Sequence, residues 1–191
     1  MVLSIAYFPP VEFFALLAGK TPVLLEAHEH YCKQSWRNRC RILTANGPMD
    51  LNVPVIHDGD IFHKEINEIR VDYSTDWVRR TEYAIESAYY SSPFFIHYRD
   101  SLFSILDSEI QTLWELDMEI IRFFCRKVGI PSEPGVTGLY TGIDVDIHPK
   151  KPSSYASRPY WQVFRDRFGF VPNLSIMDLL FNEGPEAICY L

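Results

Sequence analysis

Four basic side chains within nine positions are the most prominent chemical feature of this sequence: Lys33, Arg37, Arg39 and Arg41. Guanidinium groups donate paired hydrogen bonds in one plane, which suits the oxygens of a phosphate or a carboxylate. In an extended strand the four cations share one face and Trp36 lies opposite, whereas in a helix only Arg39 leaves that face. In both conformations the cations lie on one side of the segment, which predicts a binding site for an anion.

The rest of the chain is acidic, so this basic segment is a local feature. The 191 residues carry a formal net charge of -7, which argues against broad binding of nucleic acid or of an acidic membrane surface. A small basic pocket for an anionic small molecule is compatible with that charge. Two simpler interpretations stay open, a solvated basic face and arginines that pair with the chain's own acids.

Histidine and carboxylate side chains also recur at alternate positions. Glu26, His28 and His30 would share one face of a strand, and two imidazoles with a carboxylate can hold a divalent metal. The alternate residues of 144–148 form a similar row. In both places the outward face of a strand is the simpler interpretation, so no metal site is predicted.

Cysteine usage and hydropathy bear on the compartment. None of the four cysteines forms a CxxC pair, which indicates free thiols in a reducing environment rather than a disulfide framework. The apolar beginning of the chain lacks a basic lead-in and is soon interrupted by Pro9 and Pro10, unlike a signal peptide. No apolar run reaches the roughly 18 residues of a membrane span. We therefore expect a soluble cytoplasmic protein.

The elements that must position these residues alternate between strand and helix. The opening predicts a strand over 4–8, a short helix over 11–18 and a second strand over 22–26, which together begin an α/β unit. The interleaving of both types along the chain favours an α/β fold. We expect a single domain over residues 1–191, with a mixed sheet and flanking helices.

Apolar periodicity defines the remaining elements. They are strands over 49–55, 69–73 and 139–147, and helices over 77–91, 102–128 and 174–183. The first two of these strands can pair antiparallel across a turn. Asn173 is the predicted cap of the last helix, and Ser175 with Asp178 is predicted to complete its first turn as a capping box.

Two segments carry a resemblance to a known family. The first comprises Tyr31, Lys33, Ser35, Trp36, Asn38 and Arg39, and the second is residues 170–185, Phe-Val-Pro-Asn-Leu-Ser-Ile-Met-Asp-Leu-Leu-Phe-Asn-Glu-Gly-Pro. With these motifs in this order, the chain resembles the WbqC-like protein family over most of its length. It departs from the family's pattern at 5–9, where most members have a His-Gln-Pro-type stretch, and at 138–142, where a glycine-rich segment is reduced.

The resemblance implies a role in bacterial surface polysaccharide (O-antigen or capsule) biosynthesis, because members often sit among genes for such polymers. It further implies a transferase that moves an aminoacyl group such as glycine onto a sugar. The ligand would be a nucleotide, a nucleotide-sugar or an activated aminoacyl donor, all of them anionic. The opening unit is also similar to Rossmann-like nucleotidylyltransferase domains, although the chain has no HxGH motif.

On this interpretation the residues of the first motif divide into two roles. Lys33, Ser35 and Asn38 would orient the reacting carbonyl or stabilise its oxyanion, and His28 is the first residue to test as a general base. A second set would bind the ligand: Tyr31, Trp36, Arg37, Arg39, Arg41 and Asn182. The sequence does not identify a cofactor.

Two alternatives to an enzyme stay open. The same residues suit a non-catalytic module that binds a nucleotide-sugar or a partner protein. On a purely structural interpretation Arg39 and Arg41 pair with internal acids, which predicts a large loss of stability for Arg39→Ala because a buried acid would lose its partner.

Overall fold

Two small sheets contain the five strands: β1 (Val2–Ser4), β2 (Leu24–Glu26), β3 (Arg39–Thr44), β4 (Gly47–Asn52) and β5 (Gly135–Val136). The computed structural model describes residues 1–191. In its first sheet the strands run parallel in the order β1–β2–β5, and Val145 adds an isolated parallel bridge to Leu3 on the outer side of β1. The carboxyl ends of these strands therefore meet at one edge, which we call the carboxyl edge.

The second sheet is an antiparallel hairpin of β3 and β4, in which Arg41 lies opposite Asp50. Gly47 permits the tight turn because its φ of +104° suits a residue without a Cβ. The chain passes through a 3-10 turn (Trp36–Asn38) before it enters β3. The α/β class is confirmed, but the expected single mixed sheet is wrong, because the parallel and antiparallel strands form separate sheets.

Helices make up most of the remaining core: α1 (Val11–Leu17), α2 (Trp77–Tyr89), α3 (Phe95–Leu106), α4 (Leu113–Val128), α5 (Arg165–Phe168) and α6 (Ile176–Glu183). Phe124 of α4 receives Phe8 and Phe14 edge-on, each with ring centroids 6.0 Å apart. Phe181 of α6 receives Tyr89 and Phe95 in the same way at 5.2 Å. Each buried ring contributes about 1.5–3 kcal/mol of stability, so α4 and α6 anchor the sheets.

The prediction of one helix over 102–128 is wrong, because the chain breaks between α3 and α4. Glu109 adopts a φ of +49°, which a helix does not allow. Thr112 then caps α4 by accepting a hydrogen bond from the amide of Glu115 at 3.2 Å. The apolar spacing continues across the break because both helices face the same core. Periodicity alone therefore predicts one helix.

The predicted strand over 139–147 does not form either, although Val145 does lie beside β1. The amide of Asp144 makes one backbone hydrogen bond to the carbonyl of Val2 at 2.9 Å, and side-chain hydrogen bonds accompany it. Asp144 accepts the amide of Val2 through its carboxylate at 2.7 Å, and the amide of Thr141 donates to the Glu26 carboxylate at 2.8 Å. Similarly, the strands predicted over 49–55 and 69–73 meet antiparallel only at one bridge, Val55–Val71.

The last helix lies where it was predicted, but its capping differs. Ser175 is the N-cap, and its hydroxyl accepts from the amide of Met177 at 3.4 Å. Asn173 lies outside the helix in a left-handed conformation with φ +53°. Asp178 is wrong as a capping residue, because its carboxylate points inward and binds side chains of another segment. None of the helices combines the length and the apolar character that are needed to cross a membrane.

Candidate functional site

A cleft of about 460 Å³ opens beside β1, at the carboxyl edge of the parallel sheet. Strands β1, β2 and β5 follow one another in one direction, after which the chain crosses to the far side of β1 at Val145. Open α/β sheets bind ligands at such a reversal of strand order. We call this site the Trp36 cleft; the residues used below are Trp36, Arg41, His148, Lys151, Glu12 and Asn173.

The first wall of the Trp36 cleft combines an indole with a guanidinium group. The Cζ atom of Arg41 lies 5.5 Å from the centre of the Trp36 ring. Arg41 donates to both oxygens of Asp50, at 2.7 and 3.2 Å, and Arg39 donates to the same carboxylate at 3.4 Å. Two guanidinium groups thus share one carboxylate, so one positive charge is left uncompensated. The Asp50 hydrogen bond raises the pKa of Arg41 further.

Backbone pairing fixes the position of Arg41. The register of the hairpin places Arg41 directly opposite Asp50, so their side chains lie on the same face of the sheet. The carbonyl of Arg41 accepts the amide of Ser175 at 2.8 Å. The two family-like motifs are therefore in direct contact at this wall, although more than a hundred residues separate them in the sequence.

The opposite wall is the 145–155 segment, which contributes His148 and Lys151. Burial lowers the pKa of His148; Asp146 opposes that shift, whereas the cations Lys151, Arg37 and Lys150 contribute to it. The amide of Lys150 donates to Nδ1 of His148 at 3.2 Å. A neutral imidazole that accepts at Nδ1 carries its proton on Nε2. His148 is therefore a hydrogen-bond donor to a ligand rather than a proton acceptor.

Glu12 and Asn173 form the third wall and join the other two. The Asn173 side chain accepts the amide of Glu12 at 2.9 Å and donates to the Glu12 carboxylate at 3.0 Å. The hydroxyl of Ser153 donates to the same carboxylate at 2.7 Å. The left-handed backbone of Asn173 suits an asparagine. These contacts link the 145–155 segment to α1 and to the C-terminal motif.

A buried carboxylate, Asp178, lies behind this third wall. It accepts from the hydroxyl of Tyr160 and from the amide group of Gln162, each at 2.8 Å. Gln162 in turn pairs with the backbone of Val171 through two 2.9 Å hydrogen bonds. Burial raises the pKa of Asp178 to about 6, and the two donors only partly oppose that rise.

Arg37 does not enter the Trp36 cleft, because it forms a buried ion pair with Glu29. Its Nε donates to Oε1 of Glu29 at 3.0 Å, its Nη2 contacts Oε2, and Nη2 also donates to the Ser4 hydroxyl at 3.0 Å. Both charged side chains are nearly inaccessible, at 10% and 6% exposure. Burial raises the pKa of Glu29 despite the bonds from Arg37. Arg37 is therefore a structural residue.

A second cleft of about 500 Å³ is lined by His28, Glu29, His30, Glu65 and Tyr140. We call it the His28 cleft. Nδ1 of His28 lies 2.8 Å from the carboxylate of Glu65. The Glu29 carboxylate lines this cleft and binds Arg37, so the Arg37–Glu29 pair forms its inner boundary.

Glu26 and its neighbours do not form a metal site. Both oxygens of the buried Glu26 carboxylate accept hydrogen bonds, from the Thr137 hydroxyl, from the amide and hydroxyl of Thr141, and from the amide of His28. These bonds hold the pKa of Glu26 below its usual value, although burial acts in the opposite direction. Glu26 is thus turned away from His28 and His30, and no group of three metal ligands is present.

The remaining residues predicted for the site are placed outside both clefts. The hydroxyl of Ser35 donates to the Cys32 carbonyl at 2.6 Å, and Asn38 donates to the carbonyl of Val53 at 2.9 Å. Asn182 is buried in α6 and donates to the carbonyl of Asp178 at 2.7 Å. These polar groups hold the local backbone.

Tyr31 and Lys33 lie together on a neighbouring surface. Both contact Phe62: the Tyr31 ring is stacked at a centroid distance of 6.3 Å, and the Lys33 ammonium lies 5.2 Å from the ring centre. The structure thus brings only Trp36 and Arg41 of the predicted set into the Trp36 cleft and His28 into the other. Lys151 and Glu65 were not predicted for either cleft, and His148 was noted only as a member of the alternating row 144–148.

Comparison with known proteins yields two matches. The model of the WbqC-like protein family matches residues 6–138. "Uncharacterized protein Rv1507c" of Mycobacterium tuberculosis is 28% identical over 223 aligned residues, which cover 97% of this chain and 94% of the relative. No solved structure matches the chain.

Proposed function

The chain belongs to the WbqC-like protein family, and we propose that it binds an anionic, phosphate-bearing donor in the Trp36 cleft and acts in the assembly of bacterial surface polysaccharide. The observation that carries this proposal is the shared Asp50 carboxylate, which leaves one of the charges of Arg39 and Arg41 uncompensated at the cleft. We propose that residues 1–191 form one functional unit, because segments after residue 138 supply part of the lining of the Trp36 cleft.

The groups around the cleft suit a phosphate-bearing molecule. Arg41 supplies a fixed guanidinium plane, and across from it His148 supplies an Nε2–H donor and Lys151 an ammonium group that pairs with Asp146. Of the carboxylates at the cleft, Asp146 is thus compensated by Lys151, and Glu12 accepts hydrogen bonds from Asn173 and Ser153. Phosphate oxygens accept hydrogen bonds from all three kinds of donor. The volume of about 460 Å³ lies within the range of small-molecule sites, roughly 300–1,000 Å³. A nucleotide, a nucleotide-sugar or an activated aminoacyl group fits this description.

The finer version of the proposal is a transferase that moves an aminoacyl group such as glycine to a sugar. It is supported by the family resemblance and by the anionic character of every activated aminoacyl donor. The four cysteines are free thiols, which fits the reducing cytoplasm in which such donors are made. A non-catalytic binding module is the second candidate. It is favoured by His148, because a neutral ring that accepts at Nδ1 donates from Nε2 and does not act as a general base in the Trp36 cleft.

Calorimetric titration with UDP, a UDP-hexose and inorganic pyrophosphate tests the binding proposal. Arg41→Ala should weaken binding at least tenfold, which is about 1.4 kcal/mol. Arg122→Ala is the matched control, because the Arg122 side chain is as exposed as that of Arg41, at 39%, and also pairs with acids. Equal affinity of wild type and Arg41→Ala for every probe, or no binding at all, would contradict the proposal.

Incorporation of labelled glycine separates the enzyme from the module. The pure protein is incubated with glycyl-tRNA, a glycyl thioester or glycyl adenylate, together with a nucleotide-sugar or a lipid-linked glycan. Incorporation that is lost in Arg41→Ala supports the transferase. Tight binding of the anionic probes without incorporation from any donor supports the module.

A further inference from the structure

The His28 cleft contains hydrogen-bond acceptors and an exposed aromatic ring, and we propose that it binds a neutral polyhydroxylated molecule, a sugar, with His28 as the acceptor of a hydroxyl proton. This inference rests on the proposed function, because it assigns a binding site to the acceptor substrate of the proposed transfer. It concerns two residues above all, His28 and Glu65, which are 37 positions apart in the sequence.

Backbone pairing brings Glu65 to His28. His30 and Glu65 form an antiparallel bridge. On one side of it the amide of Ile66 donates to the carbonyl of Glu29 at 2.8 Å, and on the other the amide of Tyr31 donates to the carbonyl of Lys64 at 3.0 Å. The Glu65 carboxylate thereby reaches Nδ1 of His28 at 2.8 Å. Its position depends on these backbone bonds rather than on a flexible surface contact.

A second carboxylate, that of Glu26, binds the backbone of His28. The buried Glu26 accepts the amide of His28 at 3.0 Å and also binds the amide of Thr141 at 2.8 Å. Thr141 directly follows Tyr140, the aromatic residue of the cleft. Glu26 therefore joins the two backbone segments that carry His28 and Tyr140.

The partner of Nδ1 determines which nitrogen of His28 can accept a proton. An ionised carboxylate is only an acceptor, so Nδ1 carries the hydrogen and Nε2 keeps its lone pair. No other group of the protein bonds to the His28 ring. This is the opposite tautomer to that of His148, and it is the arrangement by which a carboxylate orients a histidine base in hydrolytic triads.

The lining of the His28 cleft suits hydroxyl groups better than phosphates. Its charged members are carboxylates, Glu29 and Glu65, and it contains no lysine or arginine. Carboxylates accept hydrogen bonds from hydroxyls and repel an anion. Tyr140 is 60% exposed and offers an aromatic face for the C–H groups of a sugar ring. The volume of about 500 Å³ is sufficient for a sugar unit.

In the aminoacyl transfer of the proposed function, this arrangement assigns one step to His28. The sugar hydroxyl oxygen attacks the carbonyl carbon of the activated donor, and a new C–O bond forms. His28 Nε2 takes the hydroxyl proton as the bond from the carbonyl carbon to the donor's leaving oxygen or sulfur breaks with its electron pair. The leaving group then receives the proton. Glu65 acts as a positioning residue, because its carboxylate binds the Nδ1 of His28 while the capping box with Glu68 holds Glu65 itself.

Saturation-transfer NMR with N-acetylglucosamine and galactose as probes, in the absence of any donor, tests the site. Wild type should show transfer to both or one of these sugars. Tyr140→Ala should weaken that binding about fivefold, close to 1 kcal/mol. Tyr83→Ala on α2 should leave it unchanged, since that tyrosine is also exposed, at 75%, but lies outside the cleft.

Nitrogen-15 spectra of the imidazole test the role of Glu65 independently of activity. His28 should be protonated at Nδ1 in wild type and change to the Nε2-protonated tautomer in Glu65→Ala. The inference is overturned by an absence of sugar binding, by equal binding in Tyr140→Ala and wild type, or by an unchanged tautomer. If UDP still binds in that case, the proposed function survives; if neither probe binds, both fail.

Discussion

Two buried carboxylates, Glu26 and Asp178, support the two clefts, and they differ in acid–base behaviour. Their exposures are 0% and 1%, so water is excluded from both. Yet the pKa of Glu26 lies below its usual value, whereas burial raises the pKa of Asp178 to about 6. Burial raises the pKa of both carboxyl groups, and it acts more strongly on Asp178, which lies deeper in the protein, so burial accounts for part of the difference.

Hydrogen-bond donors account for the rest of the difference between the two pKa values. Glu26 accepts on both oxygens, from two backbone amides and two threonine hydroxyls, and donors of this kind stabilise the ionised form. The two donors to Asp178, Tyr160 and Gln162, both bind Oδ2. The comparison teaches that the depth of burial and the hydrogen-bond donors together decide the charge of a carboxylate in this protein. The His28 cleft is therefore supported by a permanent charge, and the Trp36 cleft by a group that titrates.

The Arg37–Glu29 pair at the inner boundary of the His28 cleft gives the largest expected effect. Arg37→Ala leaves the Glu29 carboxylate buried without a cation, and we expect a loss of about 3–5 kcal/mol in the free energy of unfolding. Arg39→Ala should lose about 1 kcal/mol or less, since its partner Asp50 is 25% exposed and keeps Arg41. Urea denaturation measures both. Similar losses for the two variants would contradict the claim that Arg37, and not Arg39, is the arginine on which the stability of the fold depends.

Glu26→Gln should be the next most destabilising change. A glutamine presents an NH₂ group at one of two positions that both face N–H donors, the amides of His28 and Thr141. One buried donor then loses its acceptor, with an expected loss of about 3 kcal/mol. Urea denaturation at neutral pH measures it. An unchanged free energy of unfolding would mean that the number of hydrogen-bond donors does not control the behaviour of the Glu26 site.

Asp178→Asn should have the opposite sign and a smaller size. The displacement of the Asp178 pKa from 3.8 to about 6 corresponds to roughly 3 kcal/mol. Because this pKa is raised, the stability that the aspartate contributes is present below pH 3.8 and is lost as the pH rises to about 6. The asparagine oxygen can accept from Tyr160 and Gln162 without a charge. We expect a gain of about 2 kcal/mol at pH near 8 and none near pH 3, partly offset by weaker hydrogen bonds.

Denaturation curves recorded across that pH range decide the point. Wild type should lose stability between pH 3.8 and 6 from this group, and the asparagine variant should not. Glu26 provides the internal contrast, since a lowered pKa contributes stability that is lost as the pH falls. An asparagine variant that is less stable than wild type at high pH would show that Asp178 is ionised at little cost.

Much of the framework was predictable from local signals. The short helix follows from an apolar run that ends at Gly19, the second strand lies within 22–26, and the last helix follows from its periodicity. The position of the opening strand, predicted over 4–8, is wrong, because β1 is Val2–Ser4 and the chain has left the strand before Phe8, whose φ is +39°. The break between α3 and α4 was not predictable, since the apolar spacing continues through it and only the left-handed Glu109 interrupts the helix.

Prediction of the site was limited by long-range partners. The basic segment identified Trp36 and Arg41, but its pattern does not distinguish a cation that faces a ligand from one that faces an internal acid. Arg37 is buried because Glu29 lies within reach in the fold. His148 and Glu65 belong to irregular segments of the structure, so no regular spacing predicts which residues lie next to them in the fold.

The most direct test of the Trp36 cleft is an NMR titration with UDP that follows the tryptophan indole N–H signals. The chain has four tryptophans, so the signal of Trp36 can be assigned by its loss in Trp36→Phe. We predict that UDP shifts the Trp36 signal in a saturable manner and leaves the ring nitrogens of His28 unchanged. A saturable shift that spares Trp36, or an effect centred on His28, would show that the anion binds elsewhere.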